Sequence, residues 1–165
     1  MIVVSNTGPL IALAKLDRLD LLKRLVPDGV FIPPTIQREL WAKTGFEAPA
    51  LEAALEDFIQ IKRPQNVPAH AEIATMYLDE GEKQAIRLAA SLTEPLFLLL
   101  DDKAGRQAAN KLGLDVTGTA GLLLSTKKQG MIDAVMPLLN ELREQGYWLS
   151  DALIAHVAQI TQESP

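Results

Sequence analysis

Pro95 is followed by Leu-Phe-Leu-Leu-Leu and then by Asp101-Asp102. Successive side chains along a strand point to opposite faces, so five large apolar residues in a row cannot all be hidden on one side. Such a run is stable where both faces are covered, as in a central strand of a parallel sheet flanked by helices. Ile2 to Ser5 and Val30 to Ile32 are further short apolar runs, and weaker ones fall at Phe58 to Lys62 and around Val116. Amphipathic stretches separate them, the pattern of β-α units. The expectation is an α/β fold with a mainly parallel central sheet.

Local signals place the intervening elements. The polar turn Asn6-Thr7-Gly8 closes the first strand, with Pro9 suited to open a helix, and Asp17 is expected to cap a second helix through Leu21, Leu22 and Leu25. Pro33 and Pro34 end the strand Val30 to Ile32 and start a helix over Thr35 to Lys43, whereas Gly45 to Pro49 and Pro64 to Pro68 read as loops. Further helices are expected over residues 50 to 57, Ala69 to Tyr77, Glu82 to Leu92, from Asp102 through Ala109, and after Thr119, Asp133 and Ser150. With 165 residues and no internal repeat, residues 1–165 read as a single domain.

Composition removes several chemistries. There is no cysteine, so disulfide scaffolds, thiolate zinc sites and cysteine nucleophiles are excluded, and His70 and His156 have no partner histidine at ligand spacing. No apolar run approaches the roughly 20 residues that cross a bilayer, so no membrane partner is expected. The opening MIVVSN lacks a basic region ahead of its apolar stretch, so it is not read as a secretion signal and a cytoplasmic location is expected. Sixteen basic against 21 acidic residues give a net charge of −5, which argues against holding nucleic acid by bulk charge. Any chemistry rests on carboxylates, hydroxyls, amides, lysine and arginine.

In open α/β sheets, ligands bind beyond the carboxyl ends of the strands. Two segments fall there: Ser5-Asn6-Thr7 after the first strand, and Asp101-Asp102 after the leucine strand. A helix N-cap would explain one of those aspartates but not both. Glu39 borders the apolar face of its helix beside Leu40, with pairing to Arg38 or Lys43 as the bland alternative. Glu82 shares a helix face with Ala85 and Ala89, and its spacing from Asp79 also suits a capping box. Oxygen donors from four separate segments suit a hard divalent cation, Mg2+ or Mn2+, which would offset the repulsion among them.

The segments SNTGPLIALAKL, IPPTIQREL, LDEGEKQAIRLA, LLLDDKAGRQAA, VTGTAGLLLSTKKQG and LREQGYWLSDALI, in this order, resemble the DUF3368 group of PIN-domain-like proteins over nearly the whole chain. The resemblance implies a PIN-like three-layer α/β domain, an Mg2+ or Mn2+-dependent ribonuclease site acting on single-stranded RNA, and the role of toxin beside a small antitoxin protein. Carried across, the acidic positions fall on Asn6, Glu39, Glu82 and Asp102 or its neighbour Asp101, with Asn6, Glu39, Glu82 and Asp102 as metal ligands. The first position usually holds aspartate, and Asn6 supplies only a neutral oxygen. Thr7, Arg106 and Thr119 are the substrate-side candidates. For Thr119 a capping role weighs more, and for Arg106 an i,i+4 pair with Asp102 does. Ser150 and Asp151 read as a helix cap, Lys127 and Lys128 as a basic patch or a solvated face, and Tyr147 and Trp148 as packing residues or the interface of a homodimer.

Two other functions compete with the ribonuclease. Asn6 and the acidic balance favour a catalytically weakened PIN-like module that binds RNA or protein. An acidic pair after a strand also serves receiver and phosphatase-like domains, but there it stands near the chain start, and here it follows the fourth or fifth strand.

Overall fold

The structure is a computed structural model and describes residues 1–165. Five strands form one sheet: β1 (Ile2–Ser5), β2 (Val30–Ile32), β3 (Ile59–Ile61), β4 (Leu96–Leu99) and β5 (Val116–Thr117). Their order is β3-β2-β1-β4-β5 and every pairing is parallel. Ten helices surround it: α1 (Thr7–Lys15), α2 (Leu19–Leu25), α3 (Pro34–Lys43), α4 (Ala48–Asp57), α5 (Ala69–Thr75), α6 (Glu80–Ser91), α7 (Lys103–Lys111), α8 (Thr119–Lys128), α9 (Met136–Glu144) and α10 (Asp151–Thr161). None is long and apolar enough to cross a membrane.

The pleat divides the apolar strand residues between two cores. Val3, Val30, Ile32 and Leu99 face the helices α1 to α4 and α8 to α10, while Ile2, Val4, Phe31, Leu98 and Leu100 face α6 and α7. Each fully buried Leu, Ile or Val contributes about 1.5–3 kcal/mol, so the two-sided strands define the register strongly. The three layers match the α/β expectation, with a fully parallel sheet.

The boundaries differ from the local signals at a few places, each with a physical reason. α1 begins at Thr7, so Pro9 lies inside the first turn, where its missing N–H costs nothing. Asp17 does not cap α2: it takes a left-handed conformation (φ 54°) and Arg18 holds the N-cap position. α4 begins at Ala48, inside the stretch expected as a loop, with Pro49 in its first turn. Ser150 does cap α10, accepting from the Leu153 amide at 3.1 Å.

Candidate active site

The chain leaves β1 and β4 in opposite directions, toward β2 and β3 on one side and β5 on the other. Connections diverge there, and the resulting crevice at the carboxyl ends is where such sheets bind ligands. Register fixes its floor. Ser5 pairs with Leu99, the Asn6 amide donates to the Leu99 carbonyl at 2.9 Å, and the Leu100 amide donates to the Thr117 carbonyl at 2.9 Å. Asn6, Asp101 and Thr119 therefore emerge side by side from three adjacent strands.

Asn6 holds the N-cap position of α1, but its side chain caps nothing. Its Nδ2 donates to Glu82 Oε1 at 3.4 Å, and its Oδ1 is buried without a partner. A buried unsatisfied carbonyl costs about 1–3 kcal/mol, and an asparagine at this position would ordinarily satisfy it on the second or third helical amide. Here the oxygen is left without any partner, and the amide nitrogen beside it takes the contact with Glu82.

Glu82 lies in the first turn of α6. Asp79 occupies the N-cap but makes no capping bond with its side chain, so the capping box expected from the spacing does not form. Burial pushes the Glu82 carboxyl above its usual range. The negative charges of Asp102 and Asp79 push the same way, against the stabilising bonds from its own amide and from Asn6. Asp102 caps α7, its Oδ2 accepting from the Gly105 amide at 2.7 Å. A Cβ on Gly105 would stand 3.3 Å from that oxygen and 3.4 Å from Glu82 Cγ, so the glycine lets the two acidic side chains approach each other.

Glu39 reaches the neighbouring wall from α3. Its Oε2 accepts from the Thr7 hydroxyl at 2.6 Å, and Lys43 stands 3.9 Å away. Its carboxylate lies against Gly81, where a Cβ would meet Oε1 at 2.5 Å. Thr7 thus orients Glu39, and the bland pairing with Lys43 is the longer of its two contacts.

Asp101 turns elsewhere. It accepts from the Thr119 amide and hydroxyl, both at 2.7 Å, and from the Tyr147 hydroxyl at 2.5 Å. Thr119 is fully buried at the first helical position of α8, and Gly118 is the N-cap, so the capping role expected of Thr119 is not the one it plays. Burial, with the Asp101 charge and hydrogen bond beside it, pushes the Tyr147 phenol well above its usual range and keeps it a donor. Arg106 makes no ion pair with Asp102 or any other acid, contrary to the i,i+4 expectation. Lys127 is paired with Glu163 at 2.7 Å, so it does not form a free basic patch with Lys128.

Sequence reasoning did not anticipate Tyr147 as a partner of Asp101 or the part played by the glycines. Gly81 carried a readable signal, because glycine in the first turn of a helix forgoes propensity and implies a close neighbour.

The parallel sheet in this order places carboxylates at its point of reversal, where an α/β module of this kind binds its ligand. The chain matches the DUF3368 family, a PIN domain, over residues 2–163, and it belongs to that family. No curated protein matches it significantly. PIN domains generally use divalent metal ions, and here the donor chemistry fits one: the orphaned Asn6 oxygen and the carboxylates of Glu82 and Asp102 are hard oxygen donors. No three acidic or imidazole side chains converge on one point, so the donors available together are the two carboxylates and the asparagine oxygen.

Proposed function

We propose that the chain is a metal-dependent endoribonuclease acting on single-stranded RNA at the β1/β4 crevice. The observation that carries this reading is the buried, unpartnered Oδ1 of Asn6, which caps no amide of its own helix while the Nδ2 of the same amide donates to Glu82. Asn6, Glu82 and Asp102 would hold Mg2+ or Mn2+, with Glu39 completing the set from the neighbouring wall. When bound, the cation neutralises the phosphodiester and activates water.

The remaining residues position that set. Thr7 fixes the Glu39 carboxylate through its hydroxyl. Asp101, anchored by Thr119 and Tyr147, holds the end of β4 so that Asp102 begins α7 beside Glu82. Arg106 offers an unpaired guanidinium to a phosphate at the mouth of the crevice. The family resemblance adds the role of toxin, with a small antitoxin protein as partner.

A weakened RNA-binding module is the second reading, favoured by Asn6 in place of an acid and by the lack of three converging carboxylates. Asn6→Asp separates the two, because hard cations respond to ligand charge. Calorimetry with Mn2+ should give tighter binding in Asn6→Asp, and cleavage of single-stranded RNA at saturating Mn2+ should rise with it. Unchanged affinity and unchanged cleavage would reduce Asn6 to a turn residue, whereas no cleavage by either protein would favour the binding module.

A further inference from the structure

Asp101 also lines a cleft of about 450 Å3 that opens between α8, α10 and residues 147–150. Trp148 stands at its rim with 81% of its surface exposed, and Leu153, Val157 and Ile160 of α10 give it an apolar wall. The indole belongs to a fixed segment: Tyr147 on one side is bonded to Asp101 at 2.5 Å, and Ser150 on the other caps α10. An exposed tryptophan pinned between two anchors is preorganised for a flat ligand.

Arg106 and His156 line the same cleft, and neither takes part in an ion pair. Arg106 lies close to Asp101: a Cβ on Gly118 would stand 3.5 Å from Arg106 Nη1 and 2.7 Å from Asp101 Oδ1. An unpaired guanidinium in a chain of net charge −5, at the edge of an acidic crevice, suits an anionic ligand. A planar apolar platform and a phosphate-binding cation within one cleft form the recognition set of a nucleotide.

We infer that this cleft binds one nucleotide of the RNA strand next to the scissile phosphate, with its base stacked on Trp148 and its phosphate on Arg106. The inference rests on the reading of the crevice as a ribonuclease site, which the cleft adjoins through Asp101. It gives the site a preference for unpaired strands, because a base within a duplex cannot reach the indole.

The test uses hexauridylate as ligand, in EDTA so that no metal-dependent cleavage occurs. The chain has two tryptophans, and Trp41→Phe leaves Trp148 as the only indole. Its emission should be quenched on titration. By anisotropy of fluorescein-labelled hexauridylate, Trp148→Ala should weaken binding about tenfold. Arg106→Gln should weaken it and reduce the logarithmic salt slope by roughly 0.7. Tyr77→Ala, which removes an aromatic ring that is 93% exposed outside the cleft, should bind as wild type. Absence of quenching, or wild-type binding by Trp148→Ala and Arg106→Gln, overturns the inference. Quenching in a protein that never cleaves RNA with Mn2+ upholds the cleft and removes the nuclease reading, and cleavage without quenching does the reverse.

Discussion

Gly81 and Gly105 set how closely the carboxylates can approach, and that makes one residue a sensitive probe of the site. A methyl group at Gly81 would stand 2.5 Å from Glu39 Oε1, at the free end of a flexible side chain. Gly81→Ala should therefore leave folding stability within about 1 kcal/mol of wild type, since the carboxylate can swing away and alanine favours helix. The displaced Glu39 loses its bond to Thr7, so Mn2+ affinity by calorimetry should fall while the melting temperature holds. Wild-type affinity in Gly81→Ala would remove Glu39 from the metal set. Asn6, Glu39, Glu82 and Asp102 were nameable from sequence because each sits just past a buried strand or at the border of an apolar helix face. The freedom of Arg106 was not, since its spacing offered Asp102 as a partner. Asp102 is spent on the Gly105 amide at the start of α7, which turns its carboxylate into the first turn and away from the arginine.

At the scale of elements, strands were more legible than helix ends. Two-sided burial writes a strand directly into sequence as a continuous apolar run, as in β1, β2 and β4. Helix ends depend on partners that arrive from elsewhere, and α9 is the sharpest case. Its start has no capping side chain of its own; Glu163, beyond α10, accepts from the amides of Val135 and Met136, both at 2.9 Å, and from Lys127. No local pattern relates residues 28 positions apart. Burial works against the Glu163 carboxylate, but the Lys127 bond and the two amides outweigh it and bring its pKa from 4.5 down to about 2. Because the folded value lies below the unfolded one, the stabilisation is complete above about pH 5 and is lost as pH falls toward 2. Allowing for solvent around the Lys127 contact, it amounts to about 1–2 kcal/mol. Urea unfolding of Glu163→Gln should show that deficit at pH 7 and a narrowing gap by pH 3. A gap that stays constant with pH would mean that the glutamate acts by shape alone.

For the molecule as a whole, function follows from where the strand order reverses. The alternating apolar pattern announces an α/β fold, but strand order is set by which helices pack on which face, so the neighbour relation of β1 and β4 emerges only in three dimensions. That relation brings Asn6 beside Asp101 and Asp102, 95 and 96 positions further along the chain by subtraction of their numbers. The activity proposed for this meeting point is RNA cleavage with a metal held in part by Asp102. Asp102→Asn is the sharpest variant, because asparagine caps a helix as well as aspartate and so preserves α7 while removing the charge. The measurement is cleavage of a fluorescent single-stranded RNA by wild type and Asp102→Asn, each in Mn2+ and in EDTA, with circular dichroism verifying equal folding. Wild type should cleave in Mn2+ and not in EDTA, and Asp102→Asn should lose at least tenfold in rate, the usual order for a lost metal contact. Cleavage that persists in EDTA, equal cleavage by the two proteins in Mn2+, or none by wild type, would contradict a metal-dependent ribonuclease site at Asp102.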